Sequence, residues 1–323
     1  MLLPRVWNHH DDPNFGLADL LSQKIDARVA RNPTFLSDVR SSRELLLACD
    51  FGGEHKGARY RSYSFLVGAI SDSAQWAELR QHVRAHMIRD ERRMSYKALG
   101  DAVRARCLLP FLRAADHLPG VLATFLIDKR ITRLVGDHRS PNVFPELVVA
   151  EHSWNQNAFH KLCLVASLGS LLIRGLSEPT QDILWVTDQD EIAPNPAKHD
   201  HAGHVIHHHI ATYAPKNTGT LVFITTEADL NARRLEDVVA IPDLSAGALG
   251  EVLSMTKDRI GRGISRIWIP FPGDLPDKGK TIATWFFNPT RRLSKLAIVI
   301  EPREDGEITA DIVSALRMDG VVV

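Results

Sequence analysis

Short apolar runs of strand length alternate with longer amphipathic stretches along most of the chain. Runs of β-branched, leucine and aromatic residues predict strands at 45–49, 63–70, 121–127, 182–188 and 220–225. Apolar residues at helical spacing predict helices at 17–29, after Ser73, and at 97–115, 156–176 and 200–213. The first two strands are close in the chain, which predicts a hairpin. The order of elements predicts an α/β fold with a mixed sheet and helices on its faces.

Proline and capping residues suggest where some elements begin and break. Pro110 is expected to bend or divide the helix of 97–115, since proline removes a helix hydrogen bond. Asp243 is expected to lie in the first turn of a helix that opens at Pro242, where a negative charge complements the helix dipole. Beyond it, the pattern predicts strands at 281–287 and 296–300 and a final helix at 308–317.

We therefore divide the chain into three parts. Residues 1–43 form an N-terminal extension, and residues 44–260 form the main α/β domain, with a helical insertion at about 72–118. Residues 261–323 form a C-terminal β/α extension packed on that core. A chain of 323 residues with 44% hydrophobic content is long and apolar enough to bury such a core.

Composition narrows the cellular setting. The cysteines Cys49, Cys107 and Cys163 are few, odd in number and far apart, which is typical of a reducing cytoplasm and excludes a disulfide framework. The N-terminus lacks the apolar run of a signal peptide, and the longest apolar stretch, 162–173, is shorter than the roughly 20 residues of a membrane span. We expect a soluble cytoplasmic protein that does not contact a membrane, whose oligomeric state stays open.

Acidic residues follow or begin several apolar elements. Asp50 follows the first strand, Asp188 follows the strand at 182–188, and Asp243 lies near the predicted last helix of the main domain. Strand ends and helix starts face a common crevice in α/β domains, and carboxylates that converge there repel each other unless a divalent cation holds them. Mg²⁺ or Mn²⁺ is therefore the expected cofactor. Taken singly, a glycine-rich turn explains Asp50 and the helix dipole explains Asp243 equally well.

The acidic cluster after the fourth predicted strand offers a further ligand. Asp190 shares the strand-alternation face of Asp188, because side chains two residues apart point the same way. Glu191 is adjacent and is explained equally well as a loop cap before Pro194. We take Asp188 as the inward residue and Asp190 as an additional metal ligand.

Histidines are concentrated in the helix of 200–213. On a helix, His201, His204 and His208 share one face, a spacing that suits zinc, contact with phosphate or general-base catalysis. A solvated or interface helix without a ligand is the first interpretation, because no cysteine or evident fourth ligand accompanies the histidines.

The helical insertion is basic although the whole chain is neutral. Lysine plus arginine and aspartate plus glutamate are equal at 39 each, so affinity for nucleic acid has to be local. Nine basic residues stand against four acidic ones between positions 78 and 113. The predicted contacts with a phosphate backbone are Arg84, Arg92, Arg93 and Arg104. A solvated amphipathic helix would also be charged in this way.

Two short motifs resemble a widespread bacterial family of unknown function with a ribonuclease H-like fold. Residues 49–53, Cys-Asp-Phe-Gly-Gly, resemble its D-E-S-G-like turn after the first strand. Residues 242–248, Pro-Asp-Leu-Ser-Ala-Gly-Ala, resemble its A-D-L-x-x-G-A-like last helix. Residues 93–97 and 125–129 resemble its helical insertion and third strand. The resemblance covers about residues 44–256 and implies that Asp50, Asp188 and Asp243 gather around metal ions.

The resemblance also implies secondary candidates, and the chain departs from the motif at two positions. Lys97 would lie near the site. Phe51 stands where the family has a glutamate, with Glu54 nearby, and Pro242 replaces a small residue. The acidic residue expected from the helical region is Glu91 or Glu151.

These features predict a metal-dependent nuclease. Two-metal phosphodiester cleavage needs carboxylates that hold ions about 3.5–4 Å apart, so that attacking and leaving oxygens are both stabilised. One alternative is a ribonuclease H-like module that binds nucleic acid or protein without catalysis, which the change at Phe51 favours. The other is a metal-dependent hydrolase of a nucleotide or another small substrate, with the histidines in its site.

Overall fold

The computed structural model describes residues 7–9, 16–69, 71, 73–88, 92–132, 154–214, 216, 219–229, 233–260, 265–269, 271 and 275–317. The helices within these ranges are α1 (Gly16–Arg31), α2 (Ala74–His86), α3 (Ala102–Ala115), α4 (Gln156–Leu176), α5 (Pro196–Tyr213), α6 (Arg234–Ile260) and α7 (Asp277–Phe286). The strands are β1 (Glu44–Gly52), β2 (Tyr60–Gly68), β3 (Gly120–Asp128), β4 (Asp182–Thr187), β5 (Leu221–Thr225), β6 (Arg266–Ile269), β7 (Leu293–Pro302), β8 (Ile308–Ile312) and β9 (Ser314–Arg317). Two short 3-10 helices cover Lys97–Gly100 and Thr226–Asp229.

A seven-stranded mixed sheet in the order β5-β4-β1-β2-β3-β7-β8 forms the centre of the protein. Strands β1, β2 and β3 pair antiparallel, so the predicted hairpin is confirmed. Strands β4 and β5 continue the sheet parallel to β1 on its other side. Strand β7 pairs parallel with β3 and β8 antiparallel with β7, which places part of the C-terminal extension in the same sheet. The predicted α/β class with a mixed sheet is confirmed.

Both faces of the sheet are buried, because side chains along each strand point alternately to two cores. On β1, Leu45 and Leu47 belong to one core, and Leu46 and Ala48 belong to the other. Residues of α1, α4 and α5 cover the first face, whereas residues of α2, α3, α6 and α7 cover the second. By the same alternation, Asp50 lies on the second face, under α6.

Helix α6 lies close to the sheet where the facing residues are small. Thr124 Oγ1 lies 2.9 Å from Ser64 Oγ and 2.7 Å from Ser245 Oγ, so a buried hydroxyl chain joins β2, β3 and α6. A Cβ atom at Gly52 would lie 3.6 Å from the backbone of Ala246, in van der Waals contact. This close packing brings the middle of α6 over the end of β1.

The start of α6 corrects the prediction for Asp243. The helix begins at Arg234, and Pro242 lies inside it. The preceding residues Val238 and Ile241 are buried, so burial of the apolar face favours helix through the proline despite the lost backbone hydrogen bond. Asp243 is therefore presented from the middle of a helix and not from its first turn.

Two predictions for the C-terminal extension were wrong. The predicted strand at 281–287 is helix α7, whose buried residues Gly279, Ile282, Ala283 and Phe286 have helical spacing. The predicted helix at 308–317 consists of two strands, β8 and β9, which belong to different sheets. Such short segments do not distinguish helix from strand by local pattern alone. Burial of one helical face decides α7, and pairing with β7 and β6 decides β8 and β9.

The helical segment of 97–115 divides at a different place from the one predicted. Pro110 lies within a continuous α3. The break comes earlier, at Asp101, whose Oδ1 accepts hydrogen bonds from the backbone N–H groups of Val103 and Arg104 at 3.1 and 3.0 Å. An acidic N-cap therefore starts α3.

Two helices in the described part of the chain are long and apolar enough to span a membrane by length and composition. They are α4 and residues Arg234–Lys257 of α6. In the most apolar 18-residue segment of each helix, 83% and 78% of the residues, respectively, are buried inside the protein. Core helices of globular proteins have the same character, and α4 packs against α5, α1 and the sheet.

Candidate functional site

Parallel pairing places Asp50 and Asp188 at the same end of neighbouring strands. Cys49 on β1 is level with Thr187 on β4, so the next residues, Asp50 and Asp188, are neighbours. Asp188 follows the end of β4, whereas Asp50, predicted to follow the first strand, lies within β1 and pairs with Ser64 of β2. Helix α6 packs across β1 and β2 on the face that carries Asp50 and brings Asp243 to the same region. The structure thus brings together the three aspartates singled out in the sequence.

Burial and mutual repulsion disfavour the ionised forms of Asp50 and Asp243. Burial, followed by the charge of Asp243, holds the pKa of Asp50 well above its usual range. Burial raises the pKa of Asp243 to about 6, although the Tyr96 N–H and the charge of Lys97 oppose the shift. The surrounding protein therefore supplies too little positive charge to stabilise both carboxylates in their ionised forms.

Asp188 is held ionised by direct partners. Burial acts to raise its pKa, but hydrogen bonds from Thr226 and Arg93 outweigh it, so the pKa of Asp188 is lowered. Thr226 Oγ1 and Arg93 Nη2 both donate to Asp188 Oδ1 at 2.7 Å. Arg93 also pairs with Glu236 at 3.2 Å, so it links the helical insertion to both carboxylates.

Asp190 lies beside a buried lysine that the sequence analysis missed. Burial raises the pKa of Asp190 to about 6, while the Ile192 N–H and the charge of Lys161 act against the shift. Lys161, on α4, is 8% exposed and pairs with Glu54 at 2.7 Å and with Glu191 at 3.2 Å. The sequence does single out this residue, since Lys161 is the one Asp, Glu, Lys or Arg in the mostly apolar stretch between positions 156 and 173.

Tyr96 connects the insertion to α6. Its backbone N–H donates to Asp243 Oδ2 at 2.7 Å, and its hydroxyl donates to Glu251 Oε2. A Cβ atom at Gly247 would overlap the Tyr96 ring, so the glycine of the last-helix motif makes room for Tyr96. Lys97 follows it, exposed, and its charge favours the ionised form of Asp243.

The donor atoms suit a hard divalent cation, although the ligands are not preassembled. Carboxylate oxygens are the preferred ligands of Mg²⁺ and Mn²⁺, and the charges of Lys97 and Arg93 only partly offset the burial that raises the pKa of Asp243. Within the described ranges, no three His, Cys, Asp or Glu side chains are grouped as metal ligands. The hydrogen bonds described for Asp188 all go to Oδ1, where Arg93, Thr226 and the Gln189 N–H would compete with a cation.

The arginines predicted to bind nucleic acid make contacts within the protein. Arg84 forms a two-pronged contact with Asp237, which is fully buried, so its guanidinium stabilises the packing of α2 on α6. Arg92 donates to Asp101 Oδ2 at 2.7 Å, and Arg104 Nε donates to the Arg93 carbonyl at 2.7 Å. Arg93 is the most exposed of the four, at 45% of its side chain, and it is the one beside the carboxylates.

The predicted histidine face does not form a metal centre with the described carboxylates. Helix α5 carries all three residues, with His204 exposed and His201 and His208 partly buried. Their neighbour His209 is buried against Tyr213, at 6.5 Å between ring centroids. The two remaining candidates, Glu91 and Glu151, lie outside the described residues.

Comparisons of the chain with protein-family models, with curated proteins and with solved structures gave no match.

Proposed function

We propose that this protein is a divalent-metal-dependent phosphodiesterase with a ribonuclease H-like core that acts on nucleic acid. The observation that carries the proposal is that Asp50 from β1 and Asp243 from α6, both partly buried, interact electrostatically and each have a raised pKa. Asp188 and Asp190 add negative charge to the same region. Such a cluster favours a bound divalent cation, because the cation removes the repulsion.

The order of strands supports the ribonuclease H-like assignment. Three sequential antiparallel strands are followed by two strands that lie parallel to the first, on its other side. Asp50 comes from the first strand, Asp188 from the end of the fourth and Asp243 from the helix after the fifth. The family that the motifs resemble implies this distribution of carboxylates.

Each nearby side chain has a role in this proposal. Asp50, Asp188 and Asp243 would hold Mg²⁺ or Mn²⁺, which when bound supplies Lewis-acid stabilisation of the phosphate and activates water. Arg93 and Lys97 are exposed beside the carboxylates and would bind the phosphate oxygens. Asp190, with a pKa raised to about 6, is suited to accept a proton from the attacking water at neutral pH. The charge of Lys161 favours the ionised form of that carboxylate.

The decisive experiment measures cleavage and metal binding together. Labelled single- and double-stranded DNA and RNA are incubated with Mn²⁺, Mg²⁺ or chelator, and thermal unfolding is followed under the same conditions. Asp50→Asn and Asp243→Asn should lose at least about 100-fold in cleavage rate and should lose stabilisation by Mn²⁺. Asp277→Asn is the matched control, because the Asp277 side chain is 98% exposed on α7. Cleavage by Asp243→Asn at the control rate would refute the proposal.

One observation favours a second candidate, a nucleic-acid-binding module without catalysis. Arg93 and Thr226 both donate hydrogen bonds to the Asp188 carboxylate, as expected if Asp188 had a purely structural role. This candidate predicts nucleic-acid binding that Asp50→Asn leaves unchanged and no cleavage with either metal. The hydrolase with histidine ligands receives no comparable support from the described residues.

A further inference from the structure

A cavity of about 270 Å³ opens beside Asp188, and the proposed cleavage chemistry does not use it. Its walls come from the segment after β4, the first turns of α5 and the segment after β5. The side chains that can recognise a ligand there are Gln189, Asn195, His199 and Glu227, and the remaining lining residues are Thr225 and four apolar residues.

The cavity and the carboxylate cluster share a wall. Asp188 Oδ1 accepts hydrogen bonds from the Gln189 N–H at 2.9 Å and from Thr226 Oγ1 at 2.7 Å. Gln189 and the neighbours of Thr226, Thr225 and Glu227, line the cavity. The cavity therefore lies next to Asp188, and a group bound in it would be adjacent to a phosphate held at Asp188.

The lining excludes phosphate and suits an uncharged ring. Glu227 is a carboxylate, and the nine lining residues include no lysine or arginine. The cavity is slightly smaller than the roughly 300 Å³ at the low end of pockets for drug-sized ligands, so it takes one ring system and not a whole nucleotide. The His199 ring is stacked on Phe223, with centroids 4.9 Å apart and planes 16° apart, which holds it in place as a flat surface.

The hydrogen-bonding groups indicate which ring. Asn195 Oδ1 accepts the Lys198 N–H at 3.0 Å to cap α5, which leaves its amide N–H₂ as the donor end. Glu227 is exposed and supplies an acceptor, and the Gln189 amide supplies both kinds of group. A carboxylate acceptor pairs with exocyclic amino groups, and an amide donor pairs with ring nitrogens or carbonyl oxygens.

We propose that this cavity binds a nucleobase that carries an exocyclic amino group, stacked on His199 and hydrogen-bonded to Glu227, next to the scissile phosphate. The position of the phosphate rests on the proposed function, whereas binding of the base does not. The site would give the enzyme a preference for cytosine, adenine or guanine over thymine or uracil at one flanking nucleotide.

The test uses neutral nucleosides, which need neither metal nor catalysis. Cytidine, uridine and N4,N4-dimethylcytidine are titrated into the full-length protein in chelator, and binding is followed by saturation-transfer NMR. Cytidine should bind, and both uridine and the dimethyl analogue should bind more weakly. His199→Ala should reduce the affinity for cytidine at least about fivefold, since base stacking on an aromatic ring contributes about 1–3 kcal/mol. His199→Phe should restore most of this affinity, and Glu227→Gln should reduce the preference for cytidine over uridine.

Matched controls lie on the same helix and on a distant loop. His207→Ala removes an exposed histidine of α5 whose Nδ1 lies 2.9 Å from the Gly203 carbonyl, and Glu307→Gln removes an exposed carboxylate between β7 and β8. Both should bind cytidine like the wild type. Equal binding of cytidine by wild type, His199→Ala and Glu227→Gln, or no nucleoside binding at all, would overturn the base site. Cleavage measured separately reports on the proposed function, so the two can fail independently.

Discussion

The backbone N–H of Tyr96 donates to Asp243 Oδ2 at 2.7 Å, which ties the helical insertion to the carboxylate cluster. The Tyr96 ring lies where a side chain at position 247 would be, and its hydroxyl contacts Glu251 one turn further along α6. The Asp-Leu-x-x-Gly motif therefore serves two purposes in this chain. Asp243 supplies a carboxylate, and Gly247 gives space to the residue that orients it.

Substitution of Gly247 tests this relationship. Gly247→Ala should destabilise the protein by about 1–3 kcal/mol, because the methyl group overlaps the Tyr96 ring in a packed region. It should also shift Tyr96 away from Asp243. Urea unfolding measures the first effect, and amide hydrogen exchange at Tyr96 measures the second.

A glycine on α5 provides the control for that substitution. At Gly203 the nearest atom to an added Cβ is Phe223 Cδ1 at 3.8 Å, an ordinary contact. Gly203→Ala should therefore stabilise the protein by up to about 1 kcal/mol, since alanine is the better helix former. If Gly247→Ala behaved like Gly203→Ala, the packing role of Gly247 would be wrong.

Neutralising Asp243 should stabilise the metal-free protein at pH 7. The pKa of Asp243 is raised to about 6 by burial, so the ionised carboxylate disfavours the folded state above that pH. Asp243→Asn should gain about 1–3 kcal/mol at pH 7 in chelator. The gain should shrink as pH falls through 6 towards 4, where the wild-type carboxyl becomes protonated on folding. Chemical unfolding across this pH range measures the difference, and no gain at pH 7 would contradict the raised pKa.

Removal of Lys161 should leave acidic neighbours without a partner. Lys161→Met keeps the aliphatic length of a buried side chain but removes the ion pairs with Glu54 and Glu191. Since both glutamates are about half exposed, we expect a loss of about 1–2 kcal/mol in unfolding free energy. The pKa of Asp190 should rise further, which moves the acidic limb of any cleavage pH profile to higher pH. Lys24→Met, which breaks an exposed pair with Asp311, should change stability by less than about 0.5 kcal/mol.

Asp128 should confer stability that acid removes. Burial acts to raise its pKa, but contacts with Arg130, at 2.9–3.0 Å, and with Arg59, at 3.5 Å, outweigh burial, so the pKa is lowered. A lowered folded-state pKa stabilises the protein above the unfolded-state pKa of about 4, and this stability is lost as pH falls through the folded value. Asp128→Asn should therefore be about 1–3 kcal/mol less stable than wild type at pH 7, with a difference that narrows below pH 4. An unchanged difference from pH 7 to pH 3, measured by urea unfolding, would contradict this account.

Local sequence pattern was sufficient to predict strands β1 to β5 and β7, most of the helices and the acidic residues near strand ends. Strands β1 to β5 have apolar runs bounded by polar turns. Such runs predict strands reliably here because both faces of the sheet are buried. The sequence also predicted Asp50 and Asp188 on neighbouring strands, and the parallel pairing of β1 with β4 brings them to the same end of the sheet.

Contacts between distant parts of the chain explain the features that local pattern leaves open. Pro242 resembles a helix start in sequence, yet burial of the preceding turns extends α6 back to Arg234. Residues 308–317 become strands because β7 and β6 offer unpaired edges. Arg93 reaches Asp188 across 95 positions, and Lys161 reaches Glu191 across 30. Such contacts depend on how helices lie on the sheet, and packing of the whole chain sets that arrangement, which short-range periodicity does not encode.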